Sequence, residues 1–136
     1  MKKLVVIAIL GTVAALAPAA AASPTVRMTI VHFFQGCHVW GTNDSRALGP
    51  TRRLTLVHGA KIVIRDNCPM SFDFRQVAGP KLALGNPRTY PGTTRTIVFR
   101  KVGLYRIKAV NVESSADKGL ETLGPDNTLR LIVRVK

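Results

Sequence analysis

The sequence predicts an all-β domain, a sandwich or barrel built from short strands. Apolar residues recur at every second position in several runs, and Gly, Pro, Asn and Asp break the chain between those runs. Beyond the N-terminus no stretch carries the 3.6-residue apolar period of an amphipathic helix, apart from a single turn's worth at Ser114 to Leu120.

The chain opens with a different kind of segment. Met1-Lys2-Lys3 is a short cationic start, Leu4 to Leu16 is apolar but for Gly11 and Thr12, and small residues run from Ala17 to Ala22. That order predicts a signal peptide over 1–22, cleaved after Ala22. The apolar run is too short to span a bilayer comfortably, and no Cys near the cleavage point suggests a lipid anchor. The expected mature domain is 23–136, one small exported domain in the periplasm, cell envelope or extracellular space. Its first strand is expected where Val26, Met28, Ile30, His32 and Phe34 alternate with Arg27, Thr29, Val31 and Phe33. Leu54 and Leu56 mark a second, and His58-Gly59-Ala60 turns into Lys61–Arg65. Gly79 to Gly92 reads as one long loop. Thr94–Phe99 and Leu104–Val112 flank a turn at Lys101-Val102-Gly103, and Thr128–Val135 sets Leu129, Leu131, Val133 and Val135 opposite Arg130 and Arg134.

Charge limits the partners. The 20 Lys and Arg against 7 Asp and Glu give a formal net charge of +13, of which Lys2 and Lys3 would leave with the leader. Such a balance attracts anionic polymers or an anionic membrane surface. The cations are dispersed, however, with no basic run of the nucleic-acid type, so a uniformly basic surface is expected. Most acids fall in turns: Asp44, Asp66, Asp117 and Asp126 read as turn formers, and Asp73 and Glu113 stand alone. With no paired carboxylates, phosphate loop or zinc spacing, the expectation is a monomer that is not an enzyme.

The chemistry gathers in two segments, Gly36-Cys37-His38-Val39-Trp40 and Asp66-Asn67-Cys68-Pro69-Met70-Ser71-Phe72. Thiolate, imidazole and thioether form a soft donor set that favours copper. In an exported protein the two cysteines could equally pair as a Cys37–Cys68 disulfide, closing a loop of about 30 residues and adding on the order of 3 kcal/mol. The roles compete, because a disulfide leaves no thiolate and hence no such copper cofactor.

Lys61–Phe74 resembles the cupredoxin segment in which a strand ends in Asn and is followed by Pro-His and an aromatic residue. Pro91–Ile107 resembles the later cupredoxin hairpin with its Pro-Gly opening and Gly-x-Tyr close. Gly36-Cys37-His38-x-Trp40, with Leu123-Gly124-Pro125-Asp126-Asn127 near the end, is similar to a group of small secreted bacterial cupredoxin-like proteins. The resemblance spans nearly the whole mature chain and implies a Greek-key β-sandwich or barrel, a copper ion, and a redox partner. It also implies departures. The Pro-His ligand position is Met70, and Ala109 to Leu129 carries none of the Cys, His and Met of the usual C-terminal ligand loop.

Matching the motifs leaves Cys37, His38 and Met70 as metal ligands, with His32 a second imidazole that no family position supplies. Such a set suits Cu(I) carriage more than fast electron transfer. Each residue has a plainer role: Met70 as a core gap-filler, His32 as a satisfied core histidine, His38 as a polar loop residue, His58 as a solvated turn residue, and Trp40 as packing beside the site. A metal-free, disulfide-stapled binding module therefore stands beside the copper reading, as does a basic protein that binds anionic polymers at the cell surface.

Overall fold

The structure, a computed structural model, describes residues 22–33, 37–44, 46–112 and 128–136, and of positions 33, 37 and 38 only the main chain. Ser114 to Leu120 and Leu123 to Asn127 lie outside the described residues, as does Phe34 at the expected end of the first strand. Among the described residues the chain is all β, without a helix. Its strands are β1 (Thr25–Phe33), β2 (Cys37–Gly41), β3 (Ala47–Gly49), β4 (Thr51–Leu56), β5 (Lys61–Asp66), β6 (Ser71–Ala78), β7 (Arg88–Thr89), β8 (Thr94–Val98), β9 (Gly103–Val112) and β10 (Thr128–Val135).

They form two five-stranded sheets, ordered β3-β2-β1-β5-β8 and β4-β10-β9-β6-β7. β1 pairs in parallel with β5, and β10 with β4. Parallel neighbours cannot be joined by a tight hairpin, so the chain must leave the sheet between them. It passes to the second sheet after β3, returns after β4 through the turn at Val57–Gly59, and crosses again between β5 and β6. The result is a Greek-key β-sandwich.

The core lies between the sheets and follows the two-residue period of each strand. In β10, Leu129, Leu131, Val133 and Val135 are buried while Arg134 is exposed. Trp40, Phe72, Phe74, Phe99 and Tyr105 are the largest fully buried side chains, and each removes enough apolar surface to contribute about 1.5–3 kcal/mol. Phe99 and Tyr105 meet edge to face with centroids 5.0 Å apart, and the Tyr105 hydroxyl donates to the Lys101 carbonyl at 2.6 Å.

The expected loop from Gly79 to Gly92 is more structured than its composition suggests. It contains β7, and Leu82 reaches the core. Gln76 holds its start: Nε2 donates to the Gly79 and Pro80 carbonyls at 3.1 and 2.8 Å, and Oε1 accepts the Leu82 N–H at 2.9 Å. Arg95 holds its end, donating to the Leu84 carbonyl at 2.8 Å and to the Asn86 carbonyl, with the guanidinium 4.7 Å from the Phe74 ring centroid. Gly79 itself sits at φ 104°, and a Cβ there would lie 2.5 Å from the Leu104 carbonyl oxygen.

Candidate metal centre

One end of the sandwich collects the soft donors. β1 finishes and β2 begins there, and Cα pairing sets His32 opposite His38 and Phe33 opposite Cys37. Residues directly opposite in an antiparallel pair share a face. The next pair on the same face, Ile30 and Trp40, lies in the inter-sheet core. Position 38 therefore shares the core-side face with His32. Position 37 falls on the other face, in line with Val31 and Val39.

The parallel ladder brings the second segment to the same place. Ile30 pairs with Asp66, and the Asn67 N–H continues the ladder by donating to the Ile30 carbonyl at 2.9 Å. β5 ends at Asp66, and Cys68, past that end, is 2% exposed and belongs to the core cluster. Met70, 3% exposed, follows as the chain crosses to β6.

Asp66 fixes this crossing. It is fully buried, its Oδ1 accepts the Cys68 N–H at 2.9 Å, and its main chain is held by Thr93 and Gly92 at 2.9 and 2.7 Å. That is the two-residue side-chain turn expected of this aspartate. Its burial, which makes it a positioning group for the Cys68 backbone, is not expected of a turn former and follows from the neighbouring Tyr90–Thr93 turn.

The individual expectations divide. Met70 fills the core. His32 is exposed at the end of β1, which corrects the core-histidine expectation: the strand runs one residue pair past the packed layer, so the apolar-face period continues beyond the core. His58 is exposed, with Nε2 2.7 Å from the Arg100 carbonyl. Trp40 is packing: it is fully buried, its Nε1 donates to the Arg130 carbonyl at 2.9 Å across the sheets, and its ring lies 6.4 Å from Phe74. Among the described residues no three His, Cys, Asp or Glu side chains converge as a ready metal cage, and the side chains of Cys37 and His38 are outside them.

This fold is cupredoxin-like. The chain superposes on the multicopper oxidase from Pseudomonas thermotolerans with a TM-score of 0.53 at 16% identity, covering 86% of this chain and 30% of that one. The multicopper oxidase from Campylobacter jejuni gives 0.49 at 13% identity over 82% of this chain and 25% of that one. A purple cupredoxin from Nitrosopumilus maritimus gives 0.46 at 14% identity, over 82% and 99%. The chain thus spans under a third of the oxidases' length. No family model matches the chain, and no curated protein does.

Proposed function

We propose that the protein is an exported copper-binding electron carrier or copper carrier, not an enzyme, and that its thiolate ligand is Cys68. The supporting observations are that position 38 pairs with His32 at one end of the first sheet and that Cys68, two residues past the β5 end that pairs with Ile30, is buried in the core, with Met70 just beyond. Two imidazoles, one thiolate and a weak thioether are the donor set of blue-copper sites. The residues fit a soft ion: Cys68 and Met70 are nearly excluded from water, and His32 meets the solvent at the rim. Bound there, copper would supply one-electron transfer or serve as cargo. The chain's own contribution is to hold the donors, through the β1–β2 register for the histidines and through Asp66 for the Cys68 main chain. A small redox partner would approach this end.

The assignment differs from motif matching, which favours Cys37 with His38. Neighbours in a strand face opposite ways, so positions 37 and 38 do not share a face. A disulfide would need Cys68, two residues past the end of β5, to reach across β1 to Cys37 at the start of β2. Export rests on the leader at 1–22.

Thiol titration of the unreduced mature protein (23–136) tests this reading. Two reactive thiols after denaturation are expected. None would mean a Cys37–Cys68 disulfide and would overturn the copper site.

A further inference from the structure

Strands β4, β10, β9 and β6 of the second sheet carry six cations on their outer face. Pairing in the second sheet sets Thr51, Arg130, Lys108 and Arg75 in one row across β4, β10, β9 and β6. The next row holds Arg53, Ile132 and Arg106, and the third Thr55, Arg134 and Leu104. Their strand neighbours are buried, so these residues form the outer face of that sheet. Among the described residues Asp73 is the acid on this face, and it is engaged by Arg88 at 2.8 Å and Arg75 at 3.8 Å. Among the described residues, the outward strand positions of the first sheet carry Arg27, Lys61 and Arg65, and Lys81, Arg100 and Lys101 border Thr96 and Val98 at its β8 edge.

The basic face has relief as well as charge. A trough of about 320 Å³ is lined by Arg53, Thr55, Leu104, Arg106, Ile132 and Arg134. A second, of about 210 Å³, shares Arg106 and Ile132 with it and extends past Lys108 and Arg130 to Val77. Ile132 lies half-buried, among arginine side chains long enough to overtop it. We propose that this continuous trough is a docking surface for an extended polyphosphate chain.

Three features select that occupant. Arginine outnumbers lysine on the face, and guanidinium forks match phosphate oxygens in pairs. Cations two residues apart on a strand lie about 6.7 Å from each other and those on adjacent strands about 4.8 Å, a grid that neutralises successive charges of an extended polyanion. The apolar residues do not all project. Ile132 sits half-buried on the floor while Leu104 and Val77 stand exposed at the rims, and among the described residues no aromatic ring on the face offers a platform for stacking bases. The trough is independent of the metal centre, so each proposal can fail alone.

The test uses the mature protein with long-chain inorganic polyphosphate as the probe. Binding is expected to weaken at least about tenfold between 50 and 200 mM salt. The double variant Arg106→Gln/Arg134→Gln, checked for native circular dichroism, should lose at least about fivefold more affinity than Arg27→Gln/Lys61→Gln on the other sheet. Should the Arg106/Arg134 pair lose its fold, Arg53→Gln on the edge strand replaces it with the same expectation. Equal losses for both faces, no binding at 100 mM salt, or tighter binding to oligothymidylate or to phosphatidylglycerol–phosphatidylcholine vesicles than to polyphosphate would each overturn the assignment.

Discussion

Met70 occupies the position where the cupredoxin pattern has a ligand histidine, yet it is 3% exposed within the core cluster, so it has two roles to separate. Met70→Leu conserves volume and should cost under about 1.5 kcal/mol in urea unfolding, whereas Met70→Ala should cost about 2–5 kcal/mol. If Met70 is also the weak axial donor, Met70→Leu shifts the copper reduction potential at nearly unchanged stability. Asp73 makes a second residue-scale prediction. Its hydrogen bond from Arg88, opposed by desolvation and aided by the charges of Arg88 and Arg75, holds its carboxyl below the usual value. The unfolded chain then binds more protons, so this contribution is complete above the unfolded pKa of about 3.9 and disappears as pH falls through the lower folded value. Asp73→Asn should cost on the order of 1 kcal/mol at pH 7 and nothing at the acid end of a stability–pH curve. Residue identity announced the turn at Asp66, because a side-chain turn is local. It could not announce that carboxylate's burial, which depends on where Tyr90–Thr93 packs.

At the scale of elements, alternation was the legible signal. β1, β5, β9 and β10 carry it over enough residues to be read directly, and β10 buries the four residues that the pattern assigned inward. β6 was equally readable, since Phe72 and Phe74 alternate with Asp73 and Arg75. β3 and β7 are too short to show a period, and β2 is a mixed polar segment whose partner, β1, has to be known first. The 79–92 segment looked like loop because its order comes from Gln76 and Arg95, residues outside it that satisfy its carbonyls. Gly79 closes that arrangement against β9. Gly79→Ala combines a left-handed φ with a Cβ 2.5 Å from the Leu104 carbonyl, and should lower stability by about 1–3 kcal/mol, read as a reduced urea midpoint with unchanged slope.

For the whole molecule, composition gave the charge and motif resemblance the sandwich, but the distribution of both chemistries depends on topology. Dispersed arginines line up in rows only after β4, β10, β9 and β6 are set in register. Topology likewise sets where the soft donors lie: the parallel β1–β5 pair brings Asp66, two residues before Cys68, opposite Ile30, while β2 returns position 38 opposite His32. Motif matching had offered Cys37 and His38 as joint ligands, and the side chains of both lie outside the described residues. The most direct test is the visible absorption of the reduced mature protein on addition of one equivalent of Cu(II), in wild type, Cys68→Ser and Cys37→Ser, each checked for native circular dichroism. The account predicts an intense thiolate-to-copper band that Cys68→Ser abolishes and Cys37→Ser retains; absence of the band in the wild type, or its loss with Cys37→Ser, would contradict it.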